Sequence, residues 1–125
     1  MTLHNAFLQA IFDDPDDDAV RLIYADWLEE HDDPDRAEFI RVQVRLARLP
    51  PKDAARPALE QRERQLLEKH RDEWIPQPLR EVGWHRIFRR GFVEQLGLDA
   101  GAFLASAEEL FRWPLLRGVA LGNSA

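Results

Sequence analysis

The sequence predicts an α+β fold in which about four N-terminal helices pack on a short strand–helix–strand unit. Apolar residues recur at helical spacing through most of the first 75 residues. After Gly83 the period changes to the alternation typical of strands. Two aliphatic segments with the same internal spacing then lie 23 residues apart, with a helix-forming stretch between them.

Length and composition limit the class of protein. A chain of 125 residues forms one domain, or one domain and the stub of a second, and has enough residues for a hydrophobic core. The absence of cysteine excludes a disulfide scaffold, a thiolate metal site and a cysteine nucleophile. No apolar run approaches the roughly 20 residues that cross a bilayer, and the first residues lack the features of an export signal. We therefore expect a cytoplasmic protein with no membrane segment.

Two Asp-Asp-Pro steps separate the first three helices. The first helix begins at Leu3 and ends at the step 13–15, because proline disfavours helical angles in the residue before it. The three aspartates 16–18 supply cap acceptors for a second helix, which runs to about Glu30 or His31. The step 32–34 then ends the second helix.

The third helix is predicted from about Arg36 to Leu49, and Gln43 lies inside its apolar stripe. If this amide is buried it requires hydrogen-bond partners, since an unpaired buried amide costs about 1–3 kcal/mol. After two prolines, Pro57 suits the first turn of a fourth, more polar helix that extends to about His70.

Two strands and a helix follow. Residues 84–90 and 92–98 are predicted as strands, and Arg90-Gly91 as a bulge or tight connection that uses the freedom of glycine at positive φ. Asp99 caps a helix that runs to about Arg112, and residues 115–121 are again extended.

The spacing L-x-x-L-x-L occurs in both extended segments, at Val93, Leu96 and Leu98 and again at Leu116, Val119 and Leu121. A strand, a return helix and a second strand at a period of about 20–29 residues indicate a leucine-rich repeat. In such proteins each turn buries its aliphatic face against its neighbours. The prediction is thus a helical cap over residues 1–82 and a repeat-like segment over 83–125, with an unrelated α+β domain as the alternative.

Three blocks of the sequence resemble a bacterial family known as the repeat-companion domain. They are DDDAVRLIYADWLEE at 16–30, RAEFIR at 36–41 together with Gln43, and FRRGFVE at 88–94. The resemblance covers nearly the whole chain. It implies a helical N-terminal domain placed ahead of leucine-rich repeats, and it implies no defined biochemical activity.

Charge is divided unevenly along the chain. The formal net charge is −6, composed of −10 over residues 1–38 and +4 over residues 39–125. Non-specific binding to nucleic acid requires a dominant basic surface, so the negative net charge argues against a nucleic-acid partner.

The repeat spacing predicts a non-catalytic protein-interaction scaffold, with no cofactor and no metal. Recognition is expected on the concave strand face, which carries Glu94, Gln95, Gly97, Arg117 and Ala120. Arginine and aromatic residues are favoured at protein interfaces, which adds Trp84, Arg89 and Arg90. An open repeat edge also predicts either a homodimer or additional repeats in the native gene product, because unpaired edges attract other chains.

Two other function classes remain open. A nucleic-acid accessory module would use Trp84 and the arginines at 86, 89, 90, 112 and 117. A small hydrolase or metal-dependent enzyme would use the acidic helix ends, where Asp14-x-Asp16-x-Asp18 resembles half of a calcium loop. Helix capping and pairing of Asp26 with Arg21, Arg36 or Arg41 explain these acids better, so we predict no enzyme.

Overall fold

The computed structural model describes residues 3–80 and 85–121. This part of the chain is α+β with an N-terminal helical region, as predicted. The elements in chain order are α1 (Leu3–Asp13), α2 (Asp18–Glu30), α3 (Pro34–Arg48), α4 (Arg56–Trp74), a single 3-10 turn (Gln77–Leu79), β1 (His85–Arg89), β2 (Phe92–Leu98), α5 (Ala100–Leu110) and β3 (Gly118–Leu121).

Aspartates begin three of the helices. The side chains of Asp17, Asp33 and Asp99 accept hydrogen bonds from backbone N–H groups in the first turns of α2, α3 and α5. With Asp33 as the cap, α3 begins at Pro34, two residues before the predicted start, because proline suits a first helical turn. The Asp-rich segments between the first three helices therefore begin the next helix as well as end the one before it.

The fourth helix is longer than predicted and continues to Trp74 instead of ending near His70. Trp74 packs against Phe39 of α3 with 4.8 Å between the ring centroids, and the ring of His70 stacks on Trp74 at 4.7 Å. These tertiary contacts stabilise the last turn of α4. The polar sequence of α4 gives no clear signal for where the helix ends.

The three strands form one sheet in the order β1-β2-β3. β1 pairs antiparallel with β2, and β2 pairs parallel with β3. Leu96 lies opposite Val119 and Leu98 opposite Leu121, so the spatial register equals the 23-residue offset seen in the sequence. The two aliphatic segments therefore lie side by side with α5 between them in the chain, although β3 starts at Gly118 and not at Leu115.

Arg90 and Gly91 form the two-residue turn between β1 and β2. Their φ angles are 49° and 97°, which is typical of the mirror-image turns that match strand twist in a hairpin. A Cβ atom at Gly91 would lie 2.5 Å from Cγ1 of Ile40. Both the backbone angle and the close approach to α3 therefore require glycine here.

A bulge in β2 explains the first half of the repeated spacing. Ile87 lies opposite Gln95 and Phe88 opposite Val93, so Glu94 is an extra residue in β2. In a regular strand, residues 93 and 96 would face opposite sides of the sheet. With the bulge, Val93 and Leu96 are both buried.

Two clusters of buried side chains form the core, and each draws residues from both sides of the 82/83 boundary. The first includes Phe39, Leu66, Trp74, Val93, Leu96 and Leu110. The second includes Ile11, Tyr24, Ile40, Phe92 and Leu115. The helical region is thus packed directly on the strands. Within the described ranges, no helix is long and apolar enough to cross a membrane.

Candidate functional site

The sheet carries a shallow groove of about 280 Å³ that crosses all three strands. Its lining includes Ile87 of β1, Gln95 and Gly97 of β2, and Gly118 and Ala120 of β3. The small residues leave the strand backbones open to close approach by another chain. Of the residues predicted for the recognition face, Gln95, Gly97 and Ala120 lie in this groove.

Gln95 is the polar group of the groove. It lies opposite Gly118, where a Cβ atom would be 3.3 Å from Cγ of Gln95. Its side chain is half-buried, and no side-chain hydrogen bond of its amide is found among the described residues. The amide can therefore both donate to and accept from a bound segment.

Glu94 departs from the expectation of an exposed recognition residue. It is only 2% exposed, because the bulge turns it inward next to Val93. Oε2 of Glu94 lies 3.3 Å from Nη1 of Arg21, which is fully buried, and Oε1 lies 3.2 Å from Nε of Arg117. Glu94 is therefore the counter-ion of the buried Arg21 and of the exposed Arg117.

Arg90 and Arg117 also bind carboxylates at the start of α2. Nη1 of Arg90 donates to Oδ1 of Asp18 at 3.0 Å, and Nη2 of Arg117 donates to Oδ1 of Asp16 at 2.6 Å. The hydrogen bond from Arg117 lowers the pKa of Asp16 below its ordinary value. We call this set the arginine–carboxylate network; its members are Asp16, Asp18, Arg21, Arg90, Glu94 and Arg117.

The hairpin turn is held by side chains of α2 and α3. Nη1 of Arg21 donates to the carbonyl oxygens of Arg89 and Arg90 at 3.3 and 3.1 Å. Nη2 of Arg36 donates to the carbonyl oxygen of Gly91 at 2.8 Å. Gln43 accepts from the Gly91 N–H at 2.8 Å. The three sequence blocks at 16–30, 36–43 and 88–94 thus converge on one turn.

The buried amide of Gln43 has the partners that its position requires. Besides accepting from Gly91, it donates through Nε2 to the carbonyl oxygen of Phe88 at 3.2 Å and to Oε2 of Glu63 at 3.0 Å. The amide thus joins α3 to β1, to the turn and to α4.

The remaining arginines of the strand region are dispersed. Arg86 donates to the carbonyl oxygens of Leu79 and Arg80, and Arg112 pairs with Glu109 within the same segment. Arg89 is exposed, with no partner among the described residues. Trp84 lies outside the described residues, so its predicted role in binding has no structural account.

The acidic residues considered for chemistry are engaged within the fold. Asp26 accepts from Nη2 of Arg41 at 2.7 Å, which is one of the three pairings predicted for it. Asp17 caps α2, and Asp18 pairs with both Arg90 and Arg48. The described part of the chain contains no group of three His, Asp or Glu placed to hold a metal ion.

The structure also forms a cleft that the sequence did not predict. It measures about 330 Å³ and lies between α1, α2, the start of α3 and the end of α4. Tyr24, Arg36, Trp74, Phe92 and Trp113 line it. These residues are up to 89 positions apart in the chain, and no local motif connects them.

Comparisons of the sequence with protein-family models, with curated proteins and with solved structures found no match. The fold and the geometry of the site are therefore the basis for any functional conclusion.

Proposed function

We propose that this chain is a non-catalytic protein-interaction scaffold of the cytoplasm. In this proposal its helices, which resemble the repeat-companion domain, cap the strands of a leucine-rich-repeat protein. One observation carries the proposal: β2 and β3 pair in parallel at the 23-residue offset of their shared spacing, and a groove crosses the sheet that they form.

The hydrogen bonds that join α2 and α3 to the β1–β2 hairpin support the capping role. A terminal cap covers the apolar surface of the first strand, which no preceding repeat covers. Here the side chains of Arg21, Arg36 and Gln43 fix the hairpin turn against α2 and α3. The hairpin and the helices therefore behave as one unit on which further strand–helix turns can stack.

The edge of the sheet formed by β3, opposite the β1 edge, is available for such stacking. In the described part of the chain, β3 pairs on one side only. The neighbouring helix α5 leaves Leu104 79% exposed, and Phe111 just after it is 58% exposed. A further turn of the same type would pair with β3 and cover these side chains, and a second copy of this chain would meet the same edge.

The groove supports protein recognition more than nucleic-acid recognition. Its lining is mostly apolar, with one amide, and contains no arginine. Arg90 and Arg117, which a nucleic-acid site would need, bind Asp16, Asp18 and Glu94 instead. Affinity for nucleic acid depends on cations that are free to contact phosphates.

The groove is tested by Ala120→Glu, which places a charge among its small residues. The matched control is Ala105→Glu, which makes the same change at an exposed position of α5. Purified protein is cross-linked to partners in extract from the host, and the partners are quantified. We expect specific partners on the wild type and the control and their loss on Ala120→Glu. Equal recovery on all three proteins, or no partner of the wild type, would contradict the proposal.

The homodimer is tested separately by light scattering over a range of concentrations. We expect a mass that rises toward twice the monomer mass as β3 edges pair. A monomer mass at the highest concentration would exclude the dimer and leave stacking of further repeats as the use of this edge.

A further inference from the structure

The cleft around Arg36 is separate from the sheet groove and shares no lining residue with it. Its volume of about 330 Å³ lies at the lower end of the range of small-molecule sites, which is roughly 300–1,000 Å³. Its walls come from α1, α2, α3, α4 and β2, so the whole helical region is required to form it.

The guanidinium of Arg36 lies between two aromatic rings. Its Cζ atom is 5.0 Å from the ring centroid of Trp74 and 5.1 Å from that of Phe92. One Nη donates to the carbonyl oxygen of Gly91, whereas Nε is buried without a hydrogen-bond partner. Burial lowers the pKa of Arg36 to about 10, so the group remains a cation at neutral pH.

Arg36 has no counter-ion among the described residues, although two carboxylates lie on the cleft wall. Oδ1 of Asp33 accepts the backbone N–H of Arg36 as the cap of α3. Oε2 of Glu73 lies 3.1 Å from Nδ1 of His70. The contrast is Arg21, the fully buried arginine at the turn, which has Glu94 at 3.3 Å.

The surroundings of Arg36 define the ligand that it fits. The planar fork of a guanidinium matches the two oxygens of a carboxylate. The half-buried Trp113 offers aromatic surface in the same cleft, whose wall also includes the buried rings of Trp74 and Phe92, and flat apolar groups pack well on aromatic surfaces. The hydroxyl of Tyr24, 3.2 Å from Nδ1 of His4, adds a polar group, and burial raises its pKa to about 12, so it stays neutral.

We propose that this cleft binds a small carboxylate with a flat apolar body, whose carboxylate pairs with Arg36. The inference is independent of the protein-interaction role, because the two sites share no residue.

The first test compares three probes on the wild-type protein by calorimetry and by tryptophan fluorescence. Benzoate has the proposed chemistry, benzamide has the same shape without the charge, and inorganic phosphate has charge without the flat body. We expect saturable binding of benzoate that is at least about tenfold tighter than that of benzamide, with phosphate weaker than benzoate. Absence of saturable benzoate binding, or equal affinity for benzamide, would overturn the proposal. Tighter binding of phosphate would overturn the carboxylate assignment.

The second test locates the site. Arg36→Lys retains the charge but removes the fork, and we expect about a tenfold loss of benzoate affinity. The control Arg45→Lys makes the same change on an exposed part of α3 and is expected to leave the affinity unchanged. Because Arg36 also binds Gly91, a second variant, Leu8→Trp, fills the cleft from α1 without changing that contact. Full benzoate affinity in a folded Leu8→Trp protein would place the binding elsewhere and refute the proposal.

Discussion

Oε1 of Gln43 accepts a hydrogen bond from the backbone N–H of Gly91 at 2.8 Å, and this contact joins the middle of α3 to the turn of the hairpin. The two residues are 48 positions apart and both are buried. The contact links the helical region to the strands at the point where Arg21 and Arg36 also bind the turn. The stability of this junction is therefore open to direct test.

Gln43→Leu keeps the approximate volume of the side chain but removes its amide. The N–H of Gly91 and the carbonyl of Phe88 then lose buried partners, and each buried unpaired group costs about 1–3 kcal/mol. We expect the free energy of unfolding to fall by about 2–4 kcal/mol in urea titrations. Gln61→Leu, at an exposed position of α4, is the control. Equal stability of the two variants would show that the amide contributes nothing.

Gly91→Ala tests the turn itself. The added Cβ would meet Cγ1 of Ile40 at 2.5 Å, and alanine at a φ of 97° is strained. We expect a loss of about 2–4 kcal/mol, from backbone strain and overpacking together. A Cβ atom at Gly101 within α5 would lie 3.4 Å from Oδ1 of Asp99, an ordinary contact, and the position is helical, so Gly101→Ala is expected to leave stability unchanged or raise it. If Gly91→Ala unfolds at the same denaturant concentration as the wild type, the turn tolerates a side chain.

Glu94→Gln tests the counter-ion of Arg21. The substitution keeps the shape but leaves a fully buried guanidinium without its carboxylate, and breaking a buried pair from one side costs about 3–5 kcal/mol. We expect a loss near the lower end of that range, because Arg21 retains three carbonyl acceptors. Glu109→Gln, which affects an exposed pair with Arg112, is expected to change stability by less than about 0.5 kcal/mol. Similar effects of the two substitutions on thermal unfolding would contradict this view of Glu94.

Local sequence signals were enough to predict the helices and strands. The features that the sequence did not predict depend on contacts between residues far apart in the chain. The Asp-Asp-Pro steps predicted helix starts and ends because capping and proline act within a few residues. The 23-residue offset predicted the pairing of β2 with β3 because stacked turns repeat the same contacts.

The position of Glu94 followed no local rule. Its burial depends on a bulge relative to β1 and on Arg21, which lies 73 residues earlier in the chain. The cleft around Arg36 likewise requires walls from five elements. Such sites arise from tertiary packing, and hydrophobic periodicity along one segment contains no information about them.

His70 provides a pH-dependent contact between α3 and α4. Its Nε2 lies 2.7 Å from Oδ2 of Asp35, and its Nδ1 lies 3.1 Å from Oε2 of Glu73. The hydrogen bond with Asp35 raises the pKa of His70 above its ordinary value of 6.5. The folded state therefore binds the imidazolium proton more tightly than the unfolded state. This contribution to stability is fully present below pH 6.5 and is lost as the pH rises through the raised pKa of the folded protein.

The same contact has an opposite effect at acid pH. The hydrogen bond from His70 lowers the pKa of Asp35 below 3.8, so this carboxylate contributes stability above that pH, and the contribution is lost as the pH falls. Relative to His70→Gln, we expect the wild type to be most stabilised between the ordinary pKa of Asp35, 3.8, and that of His70, 6.5. This advantage in the free energy of unfolding is lost toward pH 8. His31→Gln is the control, because His31 is exposed and its ring contacts Trp27 of the helix that it ends. Urea titrations from pH 4 to pH 8 measure the difference, and a wild-type advantage that grows above pH 7 would have the wrong sign for this contact.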